Sequence, residues 1–265
     1  MIAPKKSLGQ HFLKDENIVR KIVQSLRLKN TDVVVEIGPG KGALTKGLLE
    51  QSDCVIGIEV DSRAISLLRE NFDDRLRIIQ ADVLKVDLAN LFREQKKKLR
   101  VVGNIPYYIT SEILFWLFEQ KDKLADATMM MQQEVARRLT ARPRSKDYGI
   151  LSVFTQLYTT PDVLFKVSRN SFFPKPNVDS AVVRLDFSTA FPPCNVEFFK
   201  NIVRTTFGKR RKTLRNGLKD LRFSDQQLDA IHFDLKKRPE ELTLDDFLLL
   251  TKQLEPYQES AVMRF

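Results

Sequence analysis

Short apolar segments alternate with amphipathic segments along the first 190 residues of the chain. The apolar segments have the length of buried strands, and the segments between them carry apolar residues at helical spacing. This alternation predicts an α/β domain. The predicted strands are residues 33–37, 54–58, 76–80, 101–104, 127–131, 163–167 and 181–187, and the predicted helices are 18–26, 43–49, 62–71, 88–98, 111–119, 133–141 and 150–158.

The pattern changes after Phe191-Pro192-Pro193, which has the composition of a linker. Beyond it, every apolar pattern has helical spacing. We therefore predict two domains: an α/β domain at residues 1–190 and a small all-helical domain at residues 191–265. The predicted helices of the second domain are residues 196–207, 209–221, 225–231 and 242–254.

A glycine-rich turn, Gly38-Pro39-Gly40-Lys41-Gly42, joins the strand at 33–37 to the helix at 43–49. A strand, a glycine turn and a helix in this order present backbone amides and a helix N-terminus to a ligand. The turn lacks the ending of a Walker loop, but it fits the looser G-x-G-x-x-[GA] pattern. On the glycines alone, a nicotinamide or flavin cofactor is therefore an open alternative.

Polar side chains stand at the ends of three further strands. Glu59 follows the glycine turn by about 20 residues, the distance at which an acid accepts hydrogen bonds from ribose hydroxyls. Asp82 either accepts from the amine of an adenine or caps the next segment, and Asn104 ends the strand at 101–104. Because ligands bind beyond the carboxyl ends of strands in open α/β sheets, these residues predict a nucleoside-binding edge.

The stretch Asn104-Ile105-Pro106-Tyr107 predicts a site for a flat ring that carries an amine. Pro106 cannot donate a ladder hydrogen bond and holds Ile105 extended, so we expect the carbonyl of Ile105 to be unpaired. With the amide oxygen of Asn104, it provides two acceptors beside the ring of Tyr107. The alternative is a turn that only ends the strand, with Tyr107 packed against it.

A second aromatic element lies in the loop Ser171-Phe172-Phe173-Pro174-Lys175-Pro176, which we expect to expose its phenylalanines. Chemistry on a nucleobase requires the base to leave its stack and to lie against aromatic faces. Tyr107 and Phe172 are the predicted faces. For one of the two phenylalanines, packing back on the sheet is the alternative.

Charge points to a polyanionic partner, because 44 lysines and arginines against 34 acids give a net charge of +10. Nine of the basic residues, against one acid, lie between positions 200 and 222. Such a concentration favours contact with phosphates over a merely solvated face. The predicted RNA-binding residues are Lys209, Arg210, Arg211, Lys212 and Arg215.

Other classes of protein are excluded by simple counts. Two cysteines without a CxxC motif, Cys54 and Cys194, argue against a disulfide framework and against a zinc site, and they fit a reducing cytoplasm. With only two histidines in addition, we expect no metal. No apolar run approaches the roughly 20 residues that cross a bilayer, so we expect neither a membrane anchor nor a secretory signal.

Six motifs taken together closely resemble the bacterial ribosomal RNA adenine dimethyltransferase family, whose small-subunit enzymes methylate two adjacent adenosines. The resemblance covers nearly the whole chain. The motifs are Gly9-Gln10-His11-Phe12-Leu13, Glu36-Ile37-Gly38-Pro39-Gly40, Asn104-Ile105-Pro106-Tyr107, Phe172 in its proline loop, Val178-Asp179-Ser180-Ala181-Val182 and Phe207-Gly208-Lys209-Arg210-Arg211-Lys212.

The resemblance implies a seven-stranded, Rossmann-like class I S-adenosylmethionine-dependent methyltransferase domain, followed by a helical RNA-binding domain. It implies small-subunit ribosomal RNA within an immature subunit as the partner, and we expect a cytoplasmic monomer. Many relatives carry Asn at the position of His11. The implied cofactor contacts are His11, Leu13, Gly38, Glu59, Asp82 and Asn104, and the implied catalytic residues are Asn104, Ile105, Pro106, Tyr107 and Phe172.

Three alternatives remain: a large-subunit adenine methyltransferase of the antibiotic-resistance type, a non-catalytic RNA-binding or assembly factor, and a nicotinamide oxidoreductase. The basic segment at 208–212 and the length of the helical end favour the small-subunit type. The intact stretch 104–107 argues against a loss of catalysis. A thermal shift with S-adenosylmethionine but not with NAD would exclude the oxidoreductase.

Overall fold

The computed structural model describes residues 3–5, 8–72, 74–188, 191–192 and 194–258. Pro193 of the predicted linker lies outside the described residues. Described strands account for all seven predicted ones and add two short ones. They are β1 (Phe12–Leu13), β2 (Val33–Ile37), β3 (Cys54–Glu59), β4 (Leu76–Gln80), β5 (Leu99–Asn104), β6 (Leu124–Gln132), β7 (Thr160–Val167), β8 (Phe172–Phe173) and β9 (Ser180–Asp186).

A seven-stranded sheet with the order β4-β3-β2-β5-β6-β9-β7 is the centre of the first structural unit. The strands from β4 to β6 are parallel, whereas β9 runs antiparallel to both β6 and β7. The interior strand β2 is buried at all five positions, as its largely apolar sequence requires when both faces of a sheet are covered. The three consecutive methionines of β6, Met129 to Met131, are also core residues.

Helices connect the strands of this unit, and the first and third of them begin at an aspartate cap. The carboxylate of Asp15 accepts hydrogen bonds from the main-chain amides of Asn17 and Ile18, and thereby starts the first helix. The apolar faces of the helices pack on the sheet around Leu48, Leu68 and Val34. The helices of this unit are α1 (Glu16–Leu26), α2 (Ala43–Leu49), α3 (Ser62–Asn71), α4 (Ala89–Gln95) and α5 (Thr110–Glu119). α6 (Gln133–Leu139) begins in this unit, and α7 (Ile150–Tyr158) belongs, except for its last residue, to the second unit.

The second unit combines the C-terminal helices with an internal segment, Arg137–Leu157. The first unit contains the chain up to Ala136 and resumes at Tyr158, and the C-terminal part of the second unit begins at residue 190. The sequence analysis assigned all of residues 1–190 to one domain, whereas the internal segment Arg137–Leu157 groups with the C-terminal helices. The C-terminal helices are α8 (Val196–Gly208), α9 (Leu214–Leu218), α10 (Asp225–Ala230) and α11 (Leu244–Leu254).

Aromatic packing explains why the internal segment lies in the second unit. The ring of Tyr148 meets the ring of Phe207 at 6.0 Å, and its hydroxyl donates to the carbonyl of Leu242 at 2.7 Å. Phe207 in turn packs on Phe247 at 5.9 Å between centroids. A buried tyrosine needs a partner for its hydroxyl, and in this protein the second unit supplies it.

The predicted helix at residues 209–221 is wrong over its first part, whereas residues 214–221 are helical. After Gly208 the chain forms turns through the basic run, and a short helix begins only at Leu214. The main-chain amides of Leu214 and Arg215 donate to the carbonyls of Lys237 and Leu235, respectively. These long-range bonds fix the chain in a bent path, which local periodicity does not encode.

Candidate active site

A cavity of about 360 Å³ lies beyond the carboxyl ends of β2, β3 and β5, at the edge where the sequence predicts ligand binding. The N-terminal residues from Leu8 to Phe12 form another part of its wall. The cavity brings together eight of the ten residues in the predicted cofactor and catalytic sets; Leu13 and Phe172 do not line it. The eight are His11, Gly38, Glu59, Asp82, Asn104, Ile105, Pro106 and Tyr107.

The glycine turn has the backbone that its sequence predicts. Gly38, Gly40 and Gly42 adopt φ angles of +64°, +56° and +81°, which side chains with a Cβ disfavour. A Cβ on Gly38 would meet no atom within 4 Å, so the main chain there borders open space. A ligand can therefore approach the backbone closely at Gly38.

One main-chain amide of the glycine turn and those of the two residues after Glu59 hold the Glu59 carboxylate. Its Oε2 accepts from the amide of Gly40 at 3.0 Å, and its Oε1 accepts from the amides of Val60 and Asp61 at 2.8 and 2.9 Å. These bonds occupy both lone pairs of Oε1 but one of Oε2. Glu59 is thus a rigid acceptor at the cavity wall.

Glu36 is a buried acid beside this site that the sequence analysis quoted only within a motif. It accepts a hydrogen bond from the Thr45 hydroxyl at 2.7 Å. Burial, and to a smaller extent the negative charge of Glu59, raise the pKa of Glu36 to about 7. A single acid within the apolar run at 33–37 was the available signal.

Asp82 has the capping role that the sequence offered as an alternative. Its Oδ1 accepts from the main-chain amide of Leu84 at 3.1 Å and starts a short 3₁₀ turn. Within the described chain, no group donates to its Oδ2. A cap and a ligand contact are therefore compatible in this residue.

The side-chain amide of Asn104 is oriented by the N-terminal segment. Its Nδ2 donates to the carbonyl of His11 at 2.9 Å, so Oδ1 is the free end of the amide. Ile105 donates its own amide to the carbonyl of Met130 at 3.3 Å. Among the described residues, neither Asn104 Oδ1 nor the Ile105 carbonyl accepts a hydrogen bond.

Tyr107 is fixed at both its ring and its hydroxyl. The hydroxyl lies 2.6 Å from Oγ of Ser180, and burial raises the pKa of the phenol. The His11 ring stacks on the Tyr107 ring, with 5.5 Å between centroids and 25° between planes. Nδ1 of His11 lies 2.7 Å from the Pro174 carbonyl, so the histidine joins the proline loop to the tyrosine.

The expectation that Phe172 presents an exposed ring is wrong. Its side chain is 2% exposed and lies in the core, whereas Phe173 is 58% exposed. Both belong to β8, which pairs antiparallel with β1 in the register Leu13↔Phe172 and Phe12↔Phe173. Because successive strand residues face opposite sides, only one of the two phenylalanines can pack inward. Leu13, also buried, packs in the same core cluster as Phe172.

A network around Asp61, which the sequence analysis missed, holds the N-terminal segment beside the cavity. Oδ2 of Asp61 accepts from Nη2 of Arg63 at 2.6 Å and from Nε2 of Gln10 at 3.2 Å. Arg63 also donates to the carbonyl of Ala3 at 3.2 Å. The hydrogen bonds from Arg63 hold the pKa of Asp61 well below its usual range.

The predicted RNA-binding residues lie in the second unit, and three of the five are in ion pairs. Lys209 pairs with Asp220 at 2.6 Å, Arg210 with Glu240 at 2.6 Å, and Arg215 with two aspartates of α10. Arg211 and Lys212 are exposed and form no ion pair within the described chain. Surface ion pairs contribute little to stability, so RNA phosphates can take the place of the carboxylates in these three pairs. Arg211 and Lys212 can contact phosphates without first breaking an ion pair.

The described residues lack two features that mark other classes of protein. They contain no cluster of three or more His, Cys, Asp or Glu side chains with the arrangement of a metal site. Their helices lack the combination of length and apolar character that a bilayer crossing requires.

Comparison with known proteins connects this geometry to a family. A family model of ribosomal RNA adenine dimethylases matches residues 2–255. A Ribosomal RNA small subunit methyltransferase A from Chlorobium phaeobacteroides (strain BS1) is 47% identical over 255 residues, which are 96% of this chain and 95% of that protein. Its counterpart from Flavobacterium johnsoniae is 42% identical over 259 residues, 96% of this chain and 97% of that protein.

Solved structures give the same result. A dimethyladenosine transferase from Plasmodium falciparum has a TM-score of 0.77 at 29% identity and covers 93% of this chain and 98% of its own. The 23S rRNA methyltransferase ErmE has a TM-score of 0.69 at 29% identity, and the match covers 92% of this chain and 99% of that protein's chain. The predicted class I methyltransferase fold and the resemblance noted in the sequence are both confirmed. From the match to its family model, the identity to its relatives and the cavity at its strand ends, we conclude that the chain belongs to the ribosomal RNA adenine dimethylase family and is a methyltransferase.

Proposed function

We propose that this protein dimethylates the N6 amines of two adjacent adenosines in a hairpin loop near the 3′ end of small-subunit ribosomal RNA, with S-adenosylmethionine as the methyl donor. The observation that carries the proposal is the pair of free acceptors, Asn104 Oδ1 and the Ile105 carbonyl, beside the fixed ring of Tyr107. Two acceptors match the two hydrogens of an exocyclic amine.

The cavity residues fit S-adenosylmethionine. Gly38 leaves open space along its main chain for the cofactor, and Oε2 of Glu59 has a lone pair for a ribose hydroxyl. Oδ2 of Asp82 is available to the adenine amine. His11 and Leu13 act through the segment that borders the cavity, where the His11 carbonyl already binds Asn104. When bound, the cofactor supplies an electrophilic methyl group on its sulfonium.

The target amine is a weak nucleophile because its lone pair is delocalised into the adenine ring. Hydrogen bonds from the amine to Asn104 Oδ1 and to the Ile105 carbonyl favour a pyramidal nitrogen with a localised lone pair. Pro106 holds these acceptors in place because its fixed φ restricts the turn. Catalysis is then mainly positioning and electrostatic stabilisation.

Proton transfer requires no strong base in this scheme, because methylation makes the amine nitrogen acidic and its proton passes to solvent. The second methylation uses the same residues after the monomethylated amine rotates and presents its remaining hydrogen. Tyr107 stacks on the target base with the ring face that His11 leaves open. Buried Phe172 supports this arrangement from the core, as a positioning residue rather than as a ring face.

Substrate RNA binds in part through the second unit. Arg211 and Lys212 contact phosphates first, and Lys209, Arg210 and Arg215 join by exchanging their carboxylate partners. The relatives that are 42–47% identical carry the small-subunit name, whereas the large-subunit enzyme is 29% identical. This difference favours the small subunit as the substrate. We further propose that the protein acts as a monomer in the cytoplasm during assembly of that subunit.

The test is to incubate the protein with tritiated S-adenosylmethionine and ribosomal subunits that lack the methyl groups, and then to map the label. Label on two adjacent adenosines of the small-subunit RNA is expected. Label confined to large-subunit RNA would replace this proposal by the resistance-type activity, and the absence of label with intact RNA binding would favour a non-catalytic assembly factor.

A further inference from the structure

Phe173 is a large aromatic side chain that the proposed reaction has not used. It is 58% exposed, although its neighbour Phe172 is buried at 2%. Single exposed apolar residues are common on protein surfaces. Exposure alone therefore does not indicate that Phe173 binds a ligand, whereas its position at the cavity and the charges near it do.

Strand pairing places Phe173 at the rim of the cavity. In the β1–β8 ladder its direct partner is Phe12, which lines the cavity. Directly opposite residues of an antiparallel pair share one face, with Cβ atoms about 5 Å apart. The carbonyl oxygen of the next residue, Pro174, lies 2.7 Å from Nδ1 of His11, and the His11 ring stacks on Tyr107. Phe173 thus stands beside the residues that face the target base.

Cationic side chains flank this aromatic pair. Lys175 is exposed two residues beyond Phe173. Nζ of Lys41 lies 4.6 Å from the centre of the Phe12 ring. Neither lysine forms an ion pair with any residue that the structure describes. Exposed rings combined with unpaired cations are the pattern of surfaces that bind single-stranded RNA, where rings stack on bases and cations contact phosphates.

We infer that Phe173 stacks on the base of a nucleotide next to the target adenosine, outside the cavity. The inference rests on the proposed function and extends it to a second nucleotide. Removing one base from a strand leaves the neighbouring base without a stacking partner, and an exposed ring at the rim replaces that partner. Phe173 would thereby hold the adjacent nucleotide of the loop in register with the cavity.

Three variants of Phe173 separate stacking from simple apolar contact. Phe173→Ala removes the ring, Phe173→Leu keeps apolar volume without a π face, and Phe173→Trp enlarges the face. Val163→Ala is the matched control, because Val163 is an apolar residue of the same unit that is 37% exposed on the edge strand β7. Thermal unfolding of each variant verifies that the fold is retained.

The first measurement is steady-state methylation of small subunits that lack the methyl groups. For Phe173→Ala and Phe173→Leu we expect the KM for subunits to rise about tenfold, as loss of one stacked base predicts. The kcat and the affinity for S-adenosylmethionine should change less than twofold. Phe173→Trp and Val163→Ala should resemble the wild type.

The second measurement does not depend on activity. An RNA hairpin carries 2-aminopurine next to an adenosine in its loop, and binding of the wild-type protein should quench the fluorescence, whereas Phe173→Ala should not. An unchanged KM in Phe173→Ala, wild-type behaviour of Phe173→Leu, or equal quenching by Phe173→Ala would overturn the inference. A wild-type protein that quenches the probe but methylates no subunit would instead refute the proposed function.

Discussion

The buried acid Glu36 yields a quantitative prediction about stability and pH. Burial raises its pKa from 4.5 to about 7, so the folded protein holds a proton that the unfolded chain has already lost. Because the native state binds more protons between these values, stability falls as the pH rises through this window. The resulting decrease in the free energy of unfolding is small near pH 5 and reaches its full value above the folded pKa of about 7.

The magnitude follows from the shift. At about 1.4 kcal/mol per pKa unit, the raised pKa of Glu36 lowers the free energy of unfolding by about 3 kcal/mol at pH 8 and by about 1 kcal/mol at pH 5. Glu36→Gln cannot ionise, and its side-chain carbonyl can still accept from the Thr45 hydroxyl. We therefore expect the variant to be more stable than the wild type at pH 8, by about 2 kcal/mol more than at pH 5.

Urea unfolding of both proteins at pH 5, 6, 7 and 8 measures this difference, with Glu119→Gln as a control for the loss of one negative charge at an exposed site. A constant difference between Glu36→Gln and the wild type over the whole pH range would refute the reasoning. Such a result would mean that Glu36 ionises in the folded protein as it does in the unfolded chain.

Three further predictions concern ligands. Glu59→Ala should weaken S-adenosylmethionine binding at least tenfold in calorimetry. Because the Glu59 side chain accepts from three main-chain amides, the substitution should also lower the free energy of unfolding by about 1–3 kcal/mol. Unchanged affinity would exclude Glu59 from the site. Neutralising Arg211 and Lys212 together should reduce the log–log salt slope of RNA binding by about 1.8 without changing cofactor affinity, whereas an unaltered slope would assign them to a solvated face. Asp61→Asn removes the negative charge that accepts a hydrogen bond from Gln10, so the N-terminal segment should leave the cavity more easily. The cofactor should then dissociate faster in stopped-flow measurements. An unchanged dissociation rate would mean that the Asp61 network does not affect cofactor binding.

Several elements were predictable because their local signals agree with their tertiary setting. The bounds of β2, α2 and α3 match the sequence prediction, since a buried apolar run, a glycine turn and an aspartate cap mark them locally. The polar residues at the strand ends also converge as expected, because parallel pairing in register brings the ends of β2, β3 and β5 to one edge.

The remaining features depend on contacts between distant parts of the chain. Which phenylalanine of β8 faces inward is set by its pairing with β1, and the alternation of a two-residue strand gives no indication of it. The hydrogen bonds of Gln10 to Asp61 and of Asn104 to the His11 carbonyl join residues that no local pattern links. The place of Tyr148 in the second unit likewise follows from partners near the C-terminus.

The central claim is that Asn104 accepts a hydrogen bond from the reacting amine. Loss of an acceptor that acts chiefly in the transition state lowers the rate by about 100-fold or more, while phosphate contacts maintain RNA affinity. Asn104→Ala also removes the bond to the His11 carbonyl, so S-adenosylmethionine affinity must be measured in the same variant and saturated in the assay.

The decisive measurement is the single-turnover rate of methyl transfer to unmethylated small subunits by Asn104→Ala, at saturating S-adenosylmethionine and saturating enzyme. A rate about 100-fold or more below the wild type, with unchanged subunit binding, is the predicted result. A rate near that of the wild type would contradict the account, because the amine would then have another acceptor.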